Sequence, residues 1–140
     1  MRSTIFISFL VLGISCASTK NTVMKTNKLD GTWVPVQQEI GGVSLPKASF
    51  EKQRLTISDS TYTVIAESVD KGVVKYKDDK MDIYSKEGVN AGKHFTAIYK
   101  FENEQLIICY NLSGDSYPET FGTKGKPLYF LSVFRKELMK

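Results

Sequence analysis

The sequence contains few of the residues from which catalytic and metal sites are usually built. Its 140 residues include one histidine and two cysteines. A nucleophile activated by histidine would need His94, and the nearest candidate, Cys109, is predicted to lie roughly 10 Å away on the following strand. That distance is too long for a hydrogen bond, and a zinc site needs three or four Cys, His or carboxylate ligands. We therefore expect no enzyme, no metal and no cofactor.

The charge pattern also excludes a class of partners. Nineteen Lys and Arg residues against fifteen Asp and Glu residues give a net charge of +4. Neither sign forms the run of like charges that marks an arm for binding nucleic acid. The glycine-rich segments do not stand between a strand and a helix, as a phosphate-binding loop requires. We expect neither nucleic acid nor a nucleotide among the partners.

No apolar run is long enough to cross a membrane. The longest, residues 5–14, is interrupted only by Ser8 and Gly13, and Arg2 precedes it. Ten residues with a rise of about 1.5 Å each cover roughly half of a bilayer core. This run is typical of the apolar core of a secretory signal peptide.

A cysteine among small residues directly follows this run. Residues 13–17, Gly-Ile-Ser-Cys-Ala, resemble the lipobox of bacterial lipoproteins. The resemblance implies cleavage before Cys16 and acylation of both its sulfur and the new amino terminus. Two or three acyl chains hold a small protein stably on a membrane. The alternative is an ordinary cleaved secretory signal in which Cys16 has no role.

These features predict three regions of the chain. Residues 1–15 are a signal peptide, residues 16–28 are a lipidated cysteine with a flexible tether, and residues 29–140 are the folded domain. The predicted location is a bacterial cell envelope, where the lipid anchor holds the protein on a membrane facing the periplasm. Without lipidation the protein is periplasmic or secreted. With Cys16 lipidated, Cys109 is expected to be a buried apolar side chain; otherwise the two could form a disulfide.

The folded domain is predicted to consist of short β-strands. Runs rich in Val, Ile, Thr, Tyr and Phe alternate with turn residues. The turns are too short for parallel neighbours, so the strands are expected to be antiparallel. Closing the sheet into a barrel would remove its two free edges. The eight predicted strands are residues 31–40, 54–58, 61–67, 72–77, 80–85, 94–102, 105–111 and 128–136.

One segment departs from the strand pattern. Residues 46–53 begin with Pro46 and continue with several helix-forming residues, which predicts one short helix or 3₁₀ turn after the first strand. The predicted fold is therefore all-β, an eight-stranded antiparallel barrel with one short helix.

The start of the first strand carries a second resemblance. Gly31-Thr32-Trp33 is similar to the Gly-x-Trp signature of lipocalins. In that superfamily the tryptophan fills the narrow base of the barrel, and a basic residue from the far end of the chain lies across the indole. The resemblance implies these roles for Trp33 and Arg135, with Gly31 allowing a close approach of the backbone.

A closer resemblance covers most of the folded domain. It is to a lipocalin-like family of small secreted bacterial proteins, and it implies a calycin barrel without an established activity. The segments that carry it are residues 29–33, 40–46, 54–57, 62–64, 97–101, 105–110, 117–121 and 131–136.

Aromatic residues provide the candidate ligand-binding side chains. Small eight-stranded barrels are either filled by their own side chains or hold one small ligand, and both outcomes stay open. The candidates in predicted strands are Tyr76, Tyr84, Tyr99, Tyr110 and Tyr129.

Two functional hypotheses follow. The first is a membrane-anchored barrel that binds a small apolar or amphipathic molecule without catalysis. The alternative is an interaction module that docks another envelope protein through the barrel surface or through residues 111–127. An exposed aromatic patch around Tyr117 and Phe121, without a cavity, would favour the alternative.

Overall fold

Nine β-strands make up most of the described chain. The structure is a computed structural model, and it describes residues 27–138. No helix within this part of the chain has the length and apolar character needed to cross a membrane. The strands are β1 (Gly31–Ile40), β2 (Val43–Ser44), β3 (Arg54–Ser58), β4 (Thr61–Ile65), β5 (Val69–Lys77), β6 (Lys80–Glu87), β7 (His94–Glu102), β8 (Gln105–Asn111) and β9 (Tyr129–Lys136).

Eight of these strands form a closed antiparallel barrel. Strand β1 pairs with β3, and each strand from β3 to β8 pairs with its successor. Closure comes from β1 and β9, which pair from Trp33 opposite Lys136 to Ile40 opposite Phe130. Strand β2 folds back on the end of β1. The prediction of an all-β, closed, eight-stranded antiparallel barrel is confirmed.

The predicted strand boundaries are correct for β1, β3, β7 and β8. Strand β2 was not predicted, and β5 begins at Val69 rather than at residue 72 because a bulge between Lys71 and Gly72 continues the pairing. A Cβ atom at Gly72 would lie 2.0 Å from the backbone oxygen of Tyr84. Gly72 therefore permits a close approach of β5 and β6 and does not end the strand.

The short helix predicted after the first strand is not present, and the chain adopts the 3₁₀ turn that the sequence left as the alternative. The structure has only a 3₁₀ turn, Lys47–Ser49, at this place. Backbone hydrogen bonds from Ser49 to Pro46 and from Phe50 to Lys47, of 2.9 and 3.1 Å, define the turn. Phe50 is 3% exposed, and the chain leaves helical geometry there to bury the ring.

Short turns close one end of the barrel, which we call the base. Three hairpins turn there through two residues each, and Asp59, Asp78 and Asn103 adopt positive φ angles of 52°, 56° and 50°. Tight hairpin turns require this conformation, which Asp and Asn adopt more readily than most residues. The base turns are residues 59–60, 78–79 and 103–104.

Longer connections surround the other end, which we call the mouth. The longest of them, residues 112–128, covers the outside of the barrel wall, and we call it the strap. Beneath it Thr96, Ile98 and Cys109 are 3%, 7% and 0% exposed, although strand alternation places their side chains on the outer face. The strap therefore forms a second layer. The mouth connections are residues 41–53, 66–68, 88–93 and 112–128.

Candidate functional site

Trp33 fills the base of the barrel. Its indole is 4% exposed within the apolar core. The indole Nε1 donates a hydrogen bond of 2.8 Å to the backbone oxygen of Leu29, and the ring centroid lies 6.2 Å from that of Phe101. The ammonium group of Lys136 lies 5.6 Å from the indole centroid. A basic residue from the end of the chain does cover the tryptophan.

That basic residue is Lys136, so the prediction of Arg135 in this position is wrong. Phe134 belongs to the apolar core, whereas Arg135 is exposed on the outer face of β9. Because side chains alternate along a strand, Lys136 returns to the inner face, where it pairs with Trp33. Alternation counted from the apolar Phe134 would have identified Lys136 from the sequence.

Gly31 provides the space that Lys136 occupies. Its φ angle is +132°, a conformation that residues with a Cβ atom rarely adopt. A Cβ atom there would lie 2.7 Å from Cε of Lys136. The close approach at Gly31 thus brings the lysine side chain over the indole.

A cavity of about 510 Å³ lies inside the barrel. Ligand pockets typically have volumes of about 300–1,000 Å³. Most of the lining side chains are apolar or aromatic: Leu55, Ile57, Tyr62, Val64, Val74, Met81, Ile83, Phe95, Ile108, Tyr110, Leu112, Phe130 and Phe134. The polar and charged lining residues are Gln38, Gln53, Arg54, Asp70, Asn90 and Lys93.

Asp70 organises the polar residues on one side of the cavity. Its carboxylate accepts hydrogen bonds from Ser85 Oγ at 2.6 Å and from Asn90 Nδ2 at 2.8 Å. Ser85 is buried, and Nζ of Lys93 donates to Asn90 Oδ1 at 3.4 Å. These contacts hold the connection 88–93 against β5. They place a carboxylate and an ammonium group at the edge of the cavity.

A buried amide lies on the β1 side of the cavity. Gln38 is 3% exposed, and its Nε2 donates to Gln53 Oε1 at 2.9 Å and to Ser132 Oγ at 3.3 Å. Beside Gln53, the guanidinium of Arg54 forms an ion pair of 3.1 Å with Glu137. The positive charge of Arg54 next to the cavity is therefore partly balanced.

Tyr110 is the one candidate tyrosine that lines the cavity. Its ring stacks on that of Phe130 in β9, with 5.6 Å between the centroids. Burial in the apolar wall raises the pKa of Tyr110 well above its ordinary value, and the neighbouring phenol of Tyr62 raises it further. Its hydroxyl group is therefore protonated at neutral pH.

Tyr76 and Tyr99 lie near the base and do not line the cavity. Both pack against the core, with 6.4 Å between their ring centroids. The hydroxyl of Tyr99 donates to the backbone oxygen of Asp78 in a base turn at 3.0 Å. The hydroxyl of Tyr76 is buried. Burial raises the pKa of Tyr76 to about 12.

Tyr84 and Tyr129 lie on the outer face of the barrel. The ring of Tyr84 stacks on His94, with 4.6 Å between centroids. Tyr129 is opposite Asn111 at the start of β9, and Nζ of Lys126 lies 5.7 Å from its ring centroid. These two tyrosines therefore contribute to the outer surface, and the cavity wall does not include them.

Most of the apolar wall consists of residues that the sequence interpretation did not single out. Ile57, Met81 and Ile108 are examples from three different strands. The side chain of each points into the barrel, as does the side chain two residues away on the same strand. The signal that could have found them is the phase of alternation within each strand, rather than the presence of tyrosine.

The strap is attached to the barrel through Tyr117. Its hydroxyl donates a short hydrogen bond to Asp82, whose other oxygen lies 2.8 Å from His94 Nε2. Burial acts to raise the pKa of Asp82, but the hydrogen bonds from Tyr117 and His94 outweigh it and the pKa is lowered. The same bond to the carboxylate raises the pKa of Tyr117. The only histidine thus takes part in strap attachment outside the cavity.

Buried polar contacts fix both ends of the strap. Asn111 is 4% exposed, and its Nδ2 donates to Asp115 Oδ1 and to the backbone oxygen of Ser116, each at 2.9 Å. At the other end Thr123 is 0% exposed. Its hydroxyl donates to the Glu39 carboxylate and accepts a 2.9 Å hydrogen bond from the backbone of Gly42.

The two strap aromatics do not form an exposed patch. Tyr117 and Phe121 are both half-buried. Nζ of Lys100 lies 4.6 Å from the ring centroid of Phe121. A cavity is also present, so neither condition that would favour docking through residues 111–127 is met.

Cys109 is buried beneath the strap, as predicted. It is 0% exposed and lies opposite Ile98. Burial raises the pKa of its thiol to about 11, with a further contribution from Glu39. Cys16, together with the predicted signal peptide and most of the tether, lies outside the described residues. Within residues 27–138, no group of three or more His, Cys, Asp or Glu side chains could hold a metal ion.

No protein-family model matches the chain, and no curated protein matches it significantly. The functional conclusion therefore depends on the geometry of the site.

Proposed function

We propose that this chain is a lipocalin-like lipoprotein of the bacterial cell envelope, whose barrel binds a small apolar or amphipathic molecule without catalysis. The observation that carries the proposal is the cavity of about 510 Å³ with its mainly apolar wall. A barrel of eight strands has room for one small ligand when its own side chains leave the interior open.

The distribution of polar groups supports an amphipathic ligand. Ile57, Met81 and Ile108, which line the cavity, are at most 4% exposed and provide an apolar surface. The charged groups Asp70 and Lys93 belong to strand ends and connections at the mouth. A ligand would place its apolar part inside and its polar part at the mouth. His94 is absent from the cavity lining, which favours binding over chemistry.

Ligand binding is tested with the apolar fluorescent dye N-phenyl-1-naphthylamine and the full chain. We expect a saturable increase in dye emission with one site per chain. Val64 lines the cavity and is half-buried, so Val64→Phe should fill part of the space and weaken binding by about tenfold, equal to about 1.4 kcal/mol.

The matched control is Val36→Phe. Val36 is 38% exposed and does not line the cavity, so this variant should bind the dye as the unmodified chain does. Absence of saturable binding, or equal weakening by both substitutions, would contradict the proposal.

The membrane anchor is tested separately by cell fractionation. The support for it is the apolar run before Cys16, since residues 5–14 lead directly to this cysteine among small residues. Cys16→Ser should move the chain from the membrane to the soluble fraction, whereas Cys109→Ala should leave it at the membrane. The mass of the chain purified from its own cells gives the deciding readout, because it should include acyl groups on Cys16; an unacylated Cys16 would exclude the anchor and leave the ligand proposal intact.

A further inference from the structure

The exposed apolar side chains of the barrel concentrate at the mouth. Eight large apolar residues of the described chain are exposed, and five of them lie in or next to the mouth connections. These five are Val43, Ile65, Val69, Val89 and Leu128, with exposures of 64%, 47%, 46%, 74% and 52%.

These five residues are distributed around the mouth, and we call the set the apolar rim. Three of the four mouth connections contain one of them, and Ile65 and Val69 flank the fourth, residues 66–68. Successive connections at the same end of an antiparallel barrel lie side by side. None of the five lines the cavity, so holding a ligand does not explain them. A concentration of exposed apolar side chains on one part of a protein surface favours an interaction site there.

The charges at the two ends of the barrel differ in sign. The three base turns carry four acids, Asp59, Asp78, Asp79 and Glu104, and no Lys or Arg. The mouth connections carry five lysines and four acids. Two of those acids and two of those lysines lie in the strap. The lysines are Lys47, Lys52, Lys93, Lys124 and Lys126.

We propose that the mouth docks on a lipid bilayer that contains anionic headgroups. Apolar side chains of the rim would enter the interface between headgroups and acyl chains, and the neighbouring lysines would contact the headgroups. The acidic base turns would be repelled by the same surface. The mouth is therefore the end that faces the lipid, and the surface is distinct from any acyl anchor at Cys16.

Docking at the mouth also gives the cavity a direct route to the membrane. The cavity is lined at the mouth by Lys93 and Asn90 from the same connection that carries Val89. An apolar molecule could then pass between the bilayer and the barrel interior without crossing water. This statement about transfer rests on the proposed function, whereas docking itself does not.

The experiment compares two environment-sensitive labels on opposite ends of the full chain. A single cysteine replaces either Val89, which lies at the mouth and is 74% exposed, or Leu138, which follows the base end of β9 and is 81% exposed. Each is labelled with a nitrobenzoxadiazole dye in a Cys16→Ser background; Cys109 is buried and stays unlabelled. Both proteins carry the same residues 1–28, so the comparison isolates the two ends.

Vesicles of phosphatidylcholine mixed with phosphatidylglycerol should raise and blue-shift the emission of the Val89→Cys label severalfold. The Leu138→Cys label should change little, and vesicles of phosphatidylcholine alone should give a weaker response at the mouth. Equal responses at both ends, a response at the base alone, or no dependence on anionic lipid would overturn the proposal. A response without vesicles would indicate a second copy as the partner and would also overturn it.

A variant pair separates docking from ligand binding. The double variant with Ile65→Ser and Val89→Ser should partition into vesicles about tenfold more weakly than the unmodified chain. The double variant with Val36→Ser and Leu138→Ser is the control and should partition as the unmodified chain does. N-phenyl-1-naphthylamine binding should be unchanged in both pairs, since none of the four residues lines the cavity. If the unmodified chain does not bind the dye, the proposed ligand binding is contradicted and docking is not. If the rim substitutions do not weaken vesicle partitioning, docking is contradicted and ligand binding is not.

Discussion

Trp33 combines three stabilising interactions in one side chain. It buries a large apolar surface, its Nε1 donates a hydrogen bond to Leu29, and Lys136 covers its ring. Burial of an aromatic side chain dominates these contributions, because a partly exposed cation over a ring contributes only about 0.5–1 kcal/mol.

Trp33→Ala should therefore lower the free energy of unfolding by about 3–5 kcal/mol, from lost burial and the space left behind. Lys136→Ala should lower it by about 0.5–1 kcal/mol. Arg135→Ala, one residue away and exposed on the outer face, serves as the control and should have almost no effect. Urea denaturation measures all three. Similar losses for Arg135 and Lys136 would contradict the assignment of the lysine to the indole.

Because of Cys109, the free energy of unfolding of the barrel should vary with pH in the alkaline range. Burial raises the pKa of this thiol from 9.0 to about 11. Below pH 9 the thiol is protonated in both the folded and the unfolded chain. Between these two values the unfolded chain releases the proton and the folded chain retains it, so stability falls as pH rises.

The loss should amount to about 2–3 kcal/mol across this window, since each pKa unit corresponds to about 1.4 kcal/mol. The Cys109→Ala variant should not show this loss of unfolding free energy, whereas any loss caused by ionisation of tyrosines should be the same in both proteins. The measurement is the difference in unfolding free energy between the two proteins as a function of pH. A difference that stays constant from neutral pH to pH about 11 would show that the thiol is not shielded.

At the scale of the element, the strap differs from the strands in how its sequence determines its structure. The strands follow from local alternation and turn residues, so β1 and β7 were predicted with correct bounds. The strap has no periodicity, and its position depends on contacts between distant residues, such as Thr123 with Glu39. Sequence patterns do not record which distant groups meet, so the second layer was not predicted. The missing helix has a related cause, because burial of Phe50 overrides the helix preference of its neighbours.

Thr123→Val should detach the second end of the strap. The substitution keeps the shape of the side chain but leaves the Glu39 carboxylate and the Gly42 amide without their partner, which costs about 1–3 kcal/mol. Limited proteolysis should show faster cleavage within residues 112–128, and denaturation should show the loss of stability. Thr120→Val, at an exposed position of the same segment, is the matched control. Equal cleavage rates for both variants would contradict this role of Thr123.

At the scale of the whole molecule, closure depends on the last strand. Pairing of β1 with β9 removes both free edges of the sheet, and it joins residues from opposite ends of the described chain. Closure was predicted from the number of strands, because an open sheet of eight strands would leave two free edges. The cavity could not be predicted in the same way, because an empty interior depends on the summed volumes of all inward side chains.

A chain that ends after Leu128, and therefore lacks β9, should expose the edges of β1 and β8 and aggregate. A chain that ends after Glu137 keeps every barrel strand and should remain folded, because it lacks only Leu138, which is 81% exposed, and two terminal residues. Size-exclusion chromatography distinguishes the outcomes. A monomeric, folded chain without β9 would show that closure is not needed for a stable sheet.

The buried amide of Asn111 restricts the cells in which this barrel can be produced. Asn111-Leu112-Ser113 matches the acceptor sequence for N-linked sugars, and a eukaryotic secretory pathway attaches such sugars while the chain is being synthesised, before the asparagine is buried. In the folded protein that nitrogen holds Asp115 and Ser116, and the strap leaves no space for an oligosaccharide. A chain glycosylated there during synthesis could not close its second layer, so secretion from yeast or mammalian cells should yield a barrel with one wall uncovered.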